Sequence, residues 1–173
     1  MPFRGRGTYT GSQNPDPVLI LEKIRHFCSY RERSEKEVEM KLKTMKVPLA
    51  KTKSILNQLR DEGYISDERF ARAFVRGKWR VNHWGRIRII FELRTKKIPE
   101  KLITTALEEI SEDSYQTILK ELIMKKAAEL IQKHKEGNNY RKTLNFRDKI
   151  FNFALGKGYE FNLIHEILDE LEI

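Results

Sequence analysis

A chain of 173 residues with 39% apolar and 34% charged side chains can bury one ordinary core or a series of small ones. Its 34 basic against 25 acidic residues leave a net charge of +9, which suits an acidic partner, nucleic acid before an acidic protein surface or an anionic membrane. One cysteine, Cys28, excludes an intramolecular disulfide framework and a multi-cysteine metal site; with no apolar run near the ~20 residues that span a bilayer, a cytoplasmic protein is expected.

Residues 1–16 are rich in Gly, Pro, Ser, Asn and Thr and read as a flexible tail. From residue 17 on the apolar period is helical, and strand-like alternation is nearly absent. Val18, Leu21, Ile24, Arg25 and Cys28 begin a first helix, and Cys28 reads as a small semi-buried thiol in it. Ser34 is a cap candidate for a second helix over Val38, Leu42 and Met45. Pro48, placed at a first helical position, starts a third over Thr52, Ile55, Leu56 and Leu59, which Gly63 closes.

Laying SEKEVEMKLKTMKVP (34–48) over GRIRIIFELRTKKIP (85–99) matches Leu42 with Leu93, Thr44 with Thr95, Lys46 with Lys97, Val47 with Ile98 and Pro48 with Pro99. Each unit therefore reads as three helices ending in a Pro-started one. A weaker third copy has a long helix over Ile118, Leu122, Ile123 and Leu130, a break at 135–139, a helix over Phe146, Ile150 and Phe153, and a last one over Leu163, Ile164, Ile167 and Leu168. Its GKGY turn (156–159) takes the place of KKIP. The expected fold is all-α, an elongated tandem array of three three-helix repeats over 17–65, 66–112 and 113–173, in which neighbours cover the faces one triplet cannot bury alone.

The charge is not spread evenly. Between Arg69 and Lys97 ten basic residues face a single acid, Glu92, so this stretch accounts for the whole net charge. At 3.6 residues per turn Arg69, Arg72, Arg76 and Arg80 fall along one side of a helix for roughly 16 Å, while Phe70, Ala73, Phe74, Gly77 and Val81 line a face toward the core. Ser66 caps that helix, with Asp67 and Glu68 in its first turn. The stripe has few nearby acids in sequence, and arginine's planar fork suits phosphate. Trp79 and Trp84 can stack on a nucleobase or pack between helices, and packing is favoured. Arg88, Glu92 and Lys96 read as an i, i+4 ladder supporting their own helix. The candidate contact surface is accordingly Arg69, Arg72, Arg76, Lys78, Arg80, Arg86, Arg94 and Lys97, with the Arg72/Arg76 pair expected to matter more for binding than Arg88 and Lys96.

Catalytic and metal motifs are missing. There is no Gly-rich phosphate loop and no His-Glu-x-x-His, and His26, His83, His134 and His165 lie far apart in sequence. The acids Glu108, Glu109, Glu112 and Asp113, or Asp169, Glu170 and Glu172, read as solvated helix ends rather than a nuclease metal site. Neither an enzyme, a metal nor a cofactor is expected.

LRDEGYISDERFARAFVR (59–76) followed by WGRIRIIFELRTKKIPEKLITTALEEI (84–110) resembles the central signature of the RecX family, regulators of the bacterial RecA recombinase. Gly63, Tyr64, Asp67, Phe70, Ala71, Val75 and Arg76 match its first part, and Gly85, Arg86, Ile87, Leu93 and Ile98 its second. The chain departs from the pattern at Lys97, where a glycine is common, and in the VNHW loop. The resemblance implies tandem three-helix repeats and a monomeric, non-enzymatic modulator lying in the groove of the RecA filament. Its partners would be RecA and DNA, single-stranded first and double-stranded second, and its effect a restraint on strand exchange, ATP hydrolysis and repressor cleavage. A stand-alone nucleic-acid-binding helical protein that needs no RecA is the alternative.

Overall fold

The computed structural model describes residues 16–136 and 146–173, so the expected tail at 1–16 lies almost wholly outside the described residues. These residues form nine helices and no strand: α1 (Pro17–Ser29), α2 (Glu35–Thr44), α3 (Leu49–Asp61), α4 (Asp67–Arg80), α5 (Arg86–Thr95), α6 (Glu100–Leu107), α7 (Glu112–Glu136), α8 (Phe146–Lys157) and α9 (Phe161–Glu170). Packing joins them in threes. In the first group α2 packs on α1 and α3, in the second α4 packs on α5 and α6, and α7, α8 and α9 form the last group.

The internal symmetry is reproduced bond for bond at the turns. Val47 N–H donates to the Leu42 carbonyl at 3.1 Å, and Ile98 N–H donates to that of Leu93 at the same distance. Both turns pass through a lysine in the left-handed region, Lys46 at φ 57° and Lys97 at φ 61°, before a proline that serves as N-cap to the next helix rather than its first residue. In the third repeat Gly158 takes that conformation at φ 90°, and Tyr159 N–H reaches back to Ala154 at 3.3 Å, so the GKGY turn does stand where KKIP stands. Lys97 thus forms the turn that glycine makes elsewhere, with the crowding a Cβ suffers there. Lys97→Gly is expected to stabilise the chain by up to about 1 kcal/mol, read as a higher denaturant midpoint; an unchanged or lower midpoint would contradict this account of the turn.

Ser34 and Ser66 cap α2 and α4 by accepting from the N–H groups of Glu37 and Arg69, as their sequence positions predict. The buried faces differ in part from the periodic reading. In α1 the core side chains are Ile20, Ile24 and Cys28, while Val18 is 65% exposed. In α4 they are Phe70, Ala71, Val75 and Trp79, whereas Phe74 is half-buried and Val81 is 75% exposed. The long helix α7 continues through Lys135 to Glu136, past the expected start of a break; the rest of that break lies outside the described residues.

Burial divides the molecule into two cores rather than one run of shared faces. The first repeat closes its own, from Ile20 to Ile65, with Ile24, Val38, Leu42 and Leu59 fully buried. The second and third repeats share one continuous core, in which Ile89, Leu93, Leu119, Ile123, Ile150 and Ile164 lie at 0% exposure. Cys28 belongs to the first core, and burial pushes its thiol up to about 11, so it is packed rather than reactive.

Candidate nucleic-acid interface

The joint between the second and third repeats rests on two glycines. Gly85, the N-cap of α5, offers no side chain to cap it, and its N–H instead donates to the Lys157 carbonyl at 2.9 Å. Ile87 N–H donates to the Gly158 carbonyl at 3.1 Å, and Arg86 N–H to the Tyr115 hydroxyl at 2.8 Å. The third repeat therefore satisfies the first amides of a helix in the second. The approach is close enough that a Cβ on Gly85 would sit 2.1 Å from the Gly158 carbonyl oxygen, and one on Gly158 would sit 2.3 Å from the Arg88 Cβ.

The joint between the first and second repeats is polar. Asp67, half-buried at the start of α4, accepts from the Glu35 N–H at 3.1 Å. Arg69 pairs with Glu32 at 2.9 Å and donates to the Gly63 carbonyl, and Lys96 pairs with Glu37 at 2.9 Å. Lys96 is thus drawn to the neighbouring repeat, and the expected Arg88–Glu92–Lys96 ladder does not form.

Most of the arginine stripe is neutralised by acids that come from other elements. Arg72 and Arg76 both hold Glu109, just past α6, at 3.2 and 2.9 Å, and Arg72 also takes Glu68. Arg86 lies over the Tyr115 ring at 4.0 Å and pairs with Glu112 at 2.7 Å, with Glu160 at 3.9 Å; Arg94 pairs with Glu100 at 2.7 Å. Of the eight candidate cations, Lys78, Arg80 and Lys97 have no carboxylate partner among the described residues. Lys97 stands apart from the other two, lining a cleft at the first joint with Lys36, Lys53, Glu35 and Asp67.

Lys78 belongs to a different constellation. The end of α4 closes with His83 in the left-handed region at φ 52° and Trp84 N–H donating to the Lys78 carbonyl at 3.1 Å, which sets the Trp84 ring edge-on to Phe74. Lys78 Nζ lies 4.7 Å from that ring's centre, and the Arg88 guanidinium lies 4.0 Å from it. Lys157, from the end of α8, donates to the Asn82 carbonyl in the same loop at 3.3 Å. Trp79, by contrast, is 5% exposed and belongs to the core, the packing role expected for it. Sequence spacing assigns Arg88 to a ladder on its own helix and does not mark Lys157, whose place in the GKGY turn is the available signal.

The ion pairs act on acid stability. Burial works against ionisation of Glu109, yet Arg72 and Arg76 outweigh it and hold the carboxyl below its ordinary value of 4.5. The same balance, with Lys96 and Arg31, lowers Glu37, and Arg86 lowers Glu112. A lowered folded value contributes stability that is complete above about 4.5 and is lost as pH falls further. Asp67 works in the opposite direction, because burial raises it and protonation relieves the penalty. The denaturant midpoint is expected to be flat above about pH 5 and to fall below it, less steeply in Glu109→Gln. An acid limb identical in that variant would contradict the assignment.

No group of three His, Cys, Asp or Glu among the described residues is placed to hold a metal ion, and no described helix is long and apolar enough to cross a membrane. What the arrangement offers is cationic surface on a helical frame.

Comparison with known proteins finds the same frame. Residues 66–107, which contain α4 to α6, match the family model described as RecX, second three-helix domain. The chain is 31% identical over 147 residues to the regulatory protein RecX of Oceanobacillus iheyensis, covering 85% of this chain and 51% of that one. It is 27% identical over 142 residues to the regulatory protein RecX of Finegoldia magna, covering 82% and 66%. The chain thus spans about half the length of the first of these relatives. The crystal structure of RecX from Lactobacillus salivarius superposes with a TM-score of 0.73 at 26% identity, over 90% of this chain and 96% of that one. A further crystal structure of regulatory protein RecX, at 24% identity and a TM-score of 0.72, shows the shared fold.

Proposed function

This chain belongs to the RecX family, and on that premise we propose that it is a non-enzymatic regulator that binds the RecA–DNA filament in its groove and restrains recombination, ATP hydrolysis and repressor cleavage. The observation that carries this reading is the second repeat: it matches the family's second domain and holds a stretch whose excess charge equals that of the whole chain. Phosphate contacts by such a surface release condensed counterions, so binding should weaken as salt rises. The candidate cations Arg69, Arg72, Arg76, Lys78, Arg80, Arg86, Arg94 and Lys97 lie on or beside this repeat, and the flanking repeats supply reach along the filament.

The stand-alone nucleic-acid-binding reading needs only the cations. Titrating labelled single-stranded DNA with and without RecA separates the two. Tighter retention of the chain on RecA-coated DNA than on bare DNA supports the regulator, and equal binding favours the alternative.

A further inference from the structure

We infer that Lys78, Arg88 and Lys157, gathered on the 82–84 loop at the joint of the second and third repeats, form a phosphodiester-binding site for single-stranded DNA. This rests on the reading above and specifies which part of the basic surface meets the nucleic acid.

The three cations come from three helices, α4, α5 and α8, and converge on one short loop. None has a carboxylate partner among the described residues, although Arg69, Arg72, Arg76, Arg86, Arg94 and Lys96 all have one. Like charges gathered without an acid repel, so a site shaped for stability alone would carry a glutamate there. What holds them is neutral: the Trp84 ring takes Lys78 and Arg88, the Gly156 carbonyl accepts from Arg88 at 3.3 Å, and the Asn82 carbonyl accepts from Lys157. Such partners fix the positions of the charges and leave them uncompensated, the condition for receiving an anion.

The placement is also rigid. Lys157 and Arg88 each reach across the joint that Gly85 and Gly158 close, so the cations keep their spacing only while the two repeats stay locked. Trp84 positions cations in this arrangement and is not a platform for a base. The Arg72/Arg76 pair, placed first by sequence spacing, shares Glu109 and also holds Glu68 through Arg72, so it carries less uncompensated charge.

The test is anisotropy of a labelled 30-nucleotide oligothymidylate against the full chain without RecA. Lys78→Gln combined with Lys157→Gln is expected to weaken binding about tenfold and to make the salt dependence shallower by roughly one to two powers. Lys43→Gln with Lys51→Gln, two exposed charges of the first repeat, should stay within about twofold of wild type. Equal losses in the two double variants, no loss in the lysine pair, or no binding by the wild-type chain would overturn the site. Acetylation footprinting of the unmutated chain gives a readout independent of folding: Lys78 and Lys157 should be protected by the oligonucleotide, and unchanged acetylation at both would also overturn it. Protection at these lysines with no effect on RecA ATPase would sink the regulator reading and leave the site standing. ATPase restraint without protection would sink the site alone.

Discussion

Gly85→Ala is expected to unlock the second and third repeats and to cost about 3 kcal/mol, at the upper end of what overpacking a tight contact costs. The added methyl meets backbone, the Gly158 carbonyl, and no side chain there can swing away to make room. Gly158→Ala should do as much, since its Cβ would strike Arg88 and its φ of 90° is strained for any side chain. Both tryptophans lie in or beside this repeat, so denaturant unfolding followed by their fluorescence reports on the right core. Gly77, inside α4 with open space around it, is the control: Gly77→Ala should stabilise the helix by up to about 1 kcal/mol. Unfolding of Gly85→Ala at the wild-type midpoint would show that the two repeats do not touch as described.

Tyr115→Phe should destabilise the same joint by about 1–3 kcal/mol, while Tyr159→Phe should be neutral or slightly stabilising. The two rings stack with centroids 5.0 Å apart and both are fully buried, so an apolar count treats them alike. Their hydroxyls differ. That of Tyr115 accepts from Arg86 N–H and donates to Glu160, each at 2.8 Å, joining α5, α7 and the start of α9. That of Tyr159 is buried without a partner among the described residues, and removing it removes a desolvation cost. Equal effects of the two substitutions on the denaturant midpoint would contradict this division of labour.

The turns were the most legible part of the sequence, because they depend on local chemistry. Lys46-Val47-Pro48 and Lys97-Ile98-Pro99 share a conformation that their shared residues encode, and Ser34 and Ser66 cap the helices they precede. The buried face of α4 was less legible. Phe74, Gly77 and Val81 satisfy a helical period with Phe70 as well as Ala71, Val75 and Trp79 do, and only the packing of α5 and α6 selects which set is buried beside Phe70.

The partners of the cations were hidden for a related reason. Arg76 finds Glu109, Arg69 finds Glu32 and Lys96 finds Glu37, each far away along the chain, so a stretch of sequence with one acid folds into a largely compensated surface. Conversely, Lys157 lies far from Lys78 in sequence and beside the same loop in space. Helix periodicity carries no information about which repeat supplies a neighbour, so these cross-repeat partners emerge only in the fold.

The proposed restraint of the recombinase on DNA is measured most directly as RecA-dependent ATP hydrolysis on single-stranded DNA while the chain is titrated in. A saturable fall in hydrolysis is expected, weaker in Gly85→Ala because that substitution breaks the frame that positions the second and third repeats. Hydrolysis that stays constant up to concentrations saturating the DNA would contradict it.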